Sequence, residues 1–148
     1  MAREPTGKEH KPMKATEAAD LPVRPGEDPW TAEELGQVRR QLEEETASQR
    51  EELRLNESEL TERLTDPVEG AGDDTADTGA KAFQREHDLA LAYNTRDLLA
   101  QSEKAIERMD AGTYGVCESC GQAIGKARLQ AFPRATLCVT CKQREERR

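Results

Sequence analysis

The sequence predicts a mainly α protein in three parts. A disordered tail spans residues 1–29, an antiparallel coiled-coil helical hairpin spans 30–111 with an acidic tip loop at 66–79, and a small four-cysteine module with a C-terminal helix fills 112–148. Three observations carry this expectation. Two long stretches each hold one narrow apolar stripe at helical spacing, all four cysteines fall in two matched pairs near the C-terminus, and the composition is too polar for one conventional core. With 35% charged, 34% apolar and 3% aromatic residues, the chain suits long exposed helices better than a single globular interior.

Residues 1 to about 28 mix Lys, Glu, Pro and Thr without periodicity, and Leu21 and Val23 are the branched apolar residues there. Such a segment reads as a tail. The first long helix has a marked start. Thr31 is placed to be the N-cap, Glu34 three residues on completes a capping box, and Trp30 and Leu35 are spaced as a hydrophobic staple. Leu35, Val38, Leu42, Thr46, Leu53, Leu60 and Leu64 then recur at spacings of three, four or seven, one stripe of an amphipathic helix. Asp66-Pro67 ends it, because proline disfavours helical geometry in the residue before it. A second helix is expected from near Ala80 to Met109, with Phe83, Leu91, Leu98, Ala105 and Met109 as its stripe and Leu99 and Ile106 beside it. Two such seams joined by a modest loop bury each other most simply within one chain; pairing between chains in a dimer is the other arrangement open to them. Each arm would be about 45 Å long at 1.5 Å per residue.

The connecting loop is acidic. No base stands between Arg63 and Lys81, while Asp66, Glu69, Asp73, Asp74 and Asp77 do, accounting for much of the net charge of −8. Small residues around them make a slim tip. Helix capping explains one or two of these carboxylates, and a functional acidic tip is the alternative. The net charge argues against a general affinity for nucleic-acid backbone. No stretch approaches the roughly 18 apolar residues of a membrane helix, and no apolar signal segment precedes the chain, so a soluble cytoplasmic protein is expected.

The cysteines stand as Cys117-x-x-Cys120 and Cys138-x-x-Cys141 with 17 residues between the pairs. This spacing fits one four-cysteine zinc site. Four thiolates fill the tetrahedron, so the ion is expected to be structural and to keep no position for water or substrate. Paired disulfides, a thioredoxin-like redox pair and a rubredoxin-like iron site are the alternatives with similar residues.

The run Gly115-Val116-Cys117-Glu118-Ser119-Cys120-Gly121, followed by Ile124-Gly125, Arg128-Leu129, Pro133, Leu137-Cys138 and Cys141-Lys142, resembles the DksA/TraR family of bacterial RNA polymerase-binding factors. The likeness covers roughly the half of the chain from the acidic loop onward. It implies a non-enzymatic transcription regulator that inserts a coiled-coil tip into the secondary channel of RNA polymerase, core or holoenzyme, and modulates initiation. It also implies joint action with the alarmone ppGpp at the shared interface, although no nucleotide site is visible in this sequence. The family's tip motif D-x-x-D-x-A meets Asp74-Thr75-Ala76-Asp77-Thr78-Gly79 here, so Asp74 and Asp77 match and glycine stands in the alanine position. On this reading the module docks on the channel rim, with Arg128, Arg134 and Lys142 as candidates, and no sequence-specific DNA binding is expected. Other readings are a Gre-like transcript-cleavage factor whose tip acids hold a second magnesium, a zinc-ribbon nucleic-acid binder, and a plain coiled-coil adaptor.

Overall fold

The computed structural model describes residues 15–65 and 75–147. Five helices follow in order: α1 (Ala15–Ala19), α2 (Ala32–Thr65), α3 (Thr75–Ala111), α4 (Lys126–Ala131) and α5 (Val139–Glu146). Among the described residues, extended pairing is limited to one antiparallel bridge between Val116 and Ala123. The long helices α2 and α3 form the expected antiparallel hairpin. The chain divides into two compact units, the first made of residues up to Glu43 together with Ser102 onward, the second of Glu44–Gln101.

In the first unit, α2 begins as the sequence predicts. The Thr31 hydroxyl accepts from the Glu34 N–H at 3.1 Å, and the Glu34 carboxylate accepts from the Thr31 N–H at 3.1 Å. This reciprocal pair satisfies two N–H groups that a helix start otherwise leaves open. Trp30 and Leu35 both join the core. Leu35, Val38 and Leu42 of α2 are buried, as are Ser102, Ala105 and Met109 of α3. Arg39 pairs with Asp110 across the two helices.

The expected tail extending to residue 29 is corrected by this unit. Residues 15–29 carry α1 and a strap that enters the core: Ala18 and Leu21 are 0% and 3% exposed, and Val23 packs against the same cluster. These apolar residues look isolated in sequence because the cluster they join is assembled from scattered positions between Trp30 and Cys141. Residues 1–14 fall outside the described residues.

In the second unit, Thr46, Ala92 and Thr95 are buried, while Leu53 and Leu98 are half-buried. The Thr95 hydroxyl donates to the Leu91 carbonyl at 3.0 Å, so its burial leaves no unmet donor. Arg96 reaches Glu57 at 3.3 Å between the helices; both are exposed, and such a pair contributes little. The stripe expected for the second helix is corrected in part. Ala105 and Met109 are buried and Leu98 is partly so, but Phe83 is 74% and Leu91 46% exposed. Small and polar residues, Ala92, Thr95 and Ser102, occupy the buried face instead. A reading that follows the largest side chains misses a seam built from small ones. The side chains of Leu60 and Leu64 lie outside the described set.

The loop expected over 66–79 is shorter than drawn. α3 starts at Thr75, so residues 75–79 are helical. Asp77 lies in the first turn, where the helix dipole favours a carboxylate. Gly79 is inside the helix with nothing within 4 Å of a built Cβ, a position that costs about 1 kcal/mol relative to alanine.

Candidate metal centre

The chain leaves α3 through a glycine turn. Gly112 takes φ +75°, and its N–H and that of Thr113 bond the Met109 and Arg108 carbonyls, a helix stop of the glycine type. The first cysteine pair then forms a tight knuckle. Cys117 N–H donates to the Gln122 carbonyl at 2.8 Å, Ile124 N–H to Gly115 at 2.8 Å, and Gly121 N–H to Cys117 at 3.0 Å. Gly121 has φ +73°, a region that side-chain-bearing residues avoid, so the glycine closes the turn around the sulfurs.

The second pair is placed by a helix. Cys138 is the N-cap of α5 and Cys141 sits in its first turn. The positive end of the helix therefore faces the thiols. Cys138 N–H also donates to the Cys117 sulfur at 3.4 Å, which links the two pairs directly.

The four Sγ atoms lie within 4.8 Å of one another, and Cys120 and Cys138 are 3.8 Å apart. A zinc tetrahedron with Zn–S near 2.3 Å has an edge of about 3.8 Å, so the donors fit that ion. All four are free thiols rather than disulfides. Burial acts to raise the Cys117 thiol, but the N–H groups of Cys120, Cys138 and Ser119 outweigh it and hold it at about 6. Cys141 is pushed up to about 12, first by its hydrogen bond with Cys138. Sulfurs this close cannot all ionise on their own, and a bound divalent cation supplies the charge that lets them. Cys117, Cys120, Cys138 and Cys141 would hold the ion, whose role with four thiolates is to hold the fold.

Side chains other than the cysteines secure this centre. Glu118 lies within reach of Lys104 at 3.2 Å and also pairs with Arg108, both on α3. The Tyr114 hydroxyl donates to the Pro133 carbonyl at 2.9 Å, and burial pushes that phenol up. Glu27 of the strap accepts from the N–H groups of Lys126 and Ala127, each at 3.0 Å, and of Arg24 at 2.8 Å. It caps α4 from a distance because the N-cap itself is Gly125, with φ +114° and no side chain to do so. Glu34 adds an ion pair to Lys126 at 2.6 Å. None of these is marked by spacing; Glu118 alone is adjacent to a cysteine.

A family profile described as the prokaryotic dksA/traR C4-type zinc finger matches residues 112–147. The RNA polymerase-binding transcription factor DksA of Caulobacter vibrioides is 34% identical over 99 residues, covering 67% of this chain and 69% of its own. The factor of the same name from Escherichia coli K12 is 32% identical over 124 residues, covering 80% and 76%. The chain belongs to the DksA/TraR family. The structure of transcription factor DksA2 from Pseudomonas aeruginosa aligns with TM-score 0.62 and 31% identity over 77% of this chain and 84% of that one. With family membership and the thiol geometry together, the DksA/TraR centre of this chain is a structural zinc site.

The other candidate residues are placed as follows. Asp77 is exposed in the first turn of α3 and belongs to the second unit, whereas the cysteines belong to the first. Asp74 lies outside the described residues, as do Asp66, Glu69 and Asp73. Arg128 and Arg134 are half-buried on the cysteine module, and Lys142 is exposed and 3.7 Å from Glu145.

Proposed function

We propose that this protein is a transcription regulator that binds RNA polymerase and performs no chemistry of its own. The observation that carries this reading is the 32–34% identity, across more than two thirds of their lengths, to factors named for binding RNA polymerase. That likeness favours it over a transcript-cleavage factor. The acidic tip enters the secondary channel, with Asp74 and Asp77 as effector groups, while Arg128, Arg134 and Lys142 belong to the part of the module that docks on the rim. Such a regulator acts by binding one conformational state of the polymerase better than another, which shifts a pre-existing equilibrium during initiation. The site of action is cytoplasmic, consistent with the finding that no described helix is long and apolar enough to cross a membrane. Joint action with ppGpp belongs to the same proposal.

The test separates binding from effect. The double variant Asp74→Asn with Asp77→Asn should bind core polymerase as the wild type does and lose its effect on promoter transcription in vitro. An unchanged effect, or loss of binding, would count against the assignment of the tip. Running the assay with and without ppGpp measures the alarmone's part.

A further inference from the structure

We propose that Phe132, backed by Arg128, is the apolar anchor through which the cysteine module docks on an acidic protein face. On the proposed function, on which this inference rests, that face belongs to RNA polymerase. Phe132 is 62% exposed although it lies between fully buried Leu129 and buried Pro133. Its backbone is fixed on both sides: its N–H donates to the Arg128 carbonyl at 2.7 Å, and its carbonyl accepts from Ala135 at 3.0 Å. The next residue, Pro133, is held by the Tyr114 hydroxyl at 2.9 Å. The fold therefore uses the Phe132 main chain and leaves the ring in water, where a polar side chain would serve folding as well. An aromatic ring presented from a rigid backbone loses little freedom on binding, and aromatic residues and arginine are enriched among the groups that dominate interfaces.

Arg128 supplies the second half of the pair. Its guanidinium carbon is 5.7 Å from the Phe132 ring centroid, and its Nε donates to the Leu137 carbonyl at 3.2 Å. The head group is thus oriented, while its two terminal amino groups make no hydrogen bond among the described residues. A guanidinium held this way suits a carboxylate, which it can meet with two parallel bonds. Val139, two residues beyond Leu137, is 39% exposed at the start of α5. Residues 126–147 hold six bases against two acids, and the Lys126 charge is already matched by Glu34. The complementary surface is therefore acidic with a non-polar recess for one ring. A protein fits better than a nucleic acid, because the whole chain carries −8 and the module presents one exposed ring, not the row of stacking rings that single strands use.

The experiment titrates fluorescently labelled full-length chain, zinc-loaded, with purified core RNA polymerase. Phe132→Ala should weaken binding roughly tenfold or more, Phe132→Asp should weaken it further, and Phe132→Leu should keep most of the affinity. Zinc content and helical circular dichroism are measured on each variant, and both should match the wild type because the side chain is 62% exposed. Wild-type affinity in folded, zinc-loaded Phe132→Ala and Phe132→Asp overturns the anchor and leaves the proposed function standing. A wild-type chain that does not bind polymerase overturns both. A labelled single-stranded DNA bound by the wild type and released by Phe132→Ala would assign the ring to nucleic acid and overturn the protein partner.

Discussion

Replacing Glu27 by alanine should destabilise the cysteine module without touching a cysteine. In the folded chain this one carboxylate accepts from three main-chain N–H groups, those of Arg24, Lys126 and Ala127, at 2.8–3.0 Å. Two of them open α4, whose N-cap Gly125 offers no side-chain acceptor. Water can reach the vacated positions because Glu27 is half-buried, so the loss is close to that of a helix N-cap, about 1–2 kcal/mol. For a folded unit of this size, each kcal/mol moves Tm by about 4–8 °C. The assay is thermal unfolding of the zinc-loaded chain by circular dichroism, with Glu27→Gln as the milder companion. A shift below about 2 °C in Glu27→Ala would refute the claim that the strap caps α4. The sign with pH is also set. The N–H of Ala127 foremost, with those of Arg24 and Lys126, outweighs partial burial and lowers the Glu27 carboxyl below its ordinary value of 4.5. A depressed carboxyl stabilises the fold above its unfolded value and loses that contribution only as pH falls through the folded one. The Glu27→Gln deficit should therefore be constant from pH 6 to 8, and a deficit that shrinks across that window would contradict the carboxylate role.

Two further outcomes follow from burial and from the metal. Leu42→Ala, at a position 0% exposed, should cost about 2–5 kcal/mol, whereas Phe83→Ser, at 74% exposed, should stay within about 0.5 kcal/mol; denaturant midpoints compare them. Removing zinc with a chelator should free four reactive thiols and lower Tm, because metal binding at such a site is folding energy; thiol titration and melting measured together check it.

What the sequence shows plainly is local. The Thr31–Glu34 box, the stripe through Leu35, Val38 and Leu42, and the two CxxC pairs are all readable because each depends on residues within a few positions of one another. The misreadings share a different cause. The strap from Ala18 to Glu27 looks like tail because the cluster it joins is scattered from Trp30 to Cys141 and the α4 amides that Glu27 caps lie about a hundred residues away. The far seam of α3 hides because Ala92 and Thr95 carry little hydropathy, while the larger Phe83 and Leu91 beside them draw the eye and face solvent. At the centre itself the ligand set was legible, but the supports Glu27 and Tyr114 were not, since hydrogen bonds between distant segments leave no periodic trace.

The strap also bears on how the protein can be divided. A fragment of residues 112–147, the extent matched by the zinc-finger profile, would contain every cysteine together with α4 and α5. It would lack the carboxylate that caps α4, the Trp30 ring tilted against Tyr114 with centroids 6.3 Å apart, and the Pro22 that lies against Gly115. The conventional boundary of the finger is thus not its physical boundary. On the ribosome, Glu27 emerges about a hundred residues before the α4 amides it caps, which places a large loop closure late in folding.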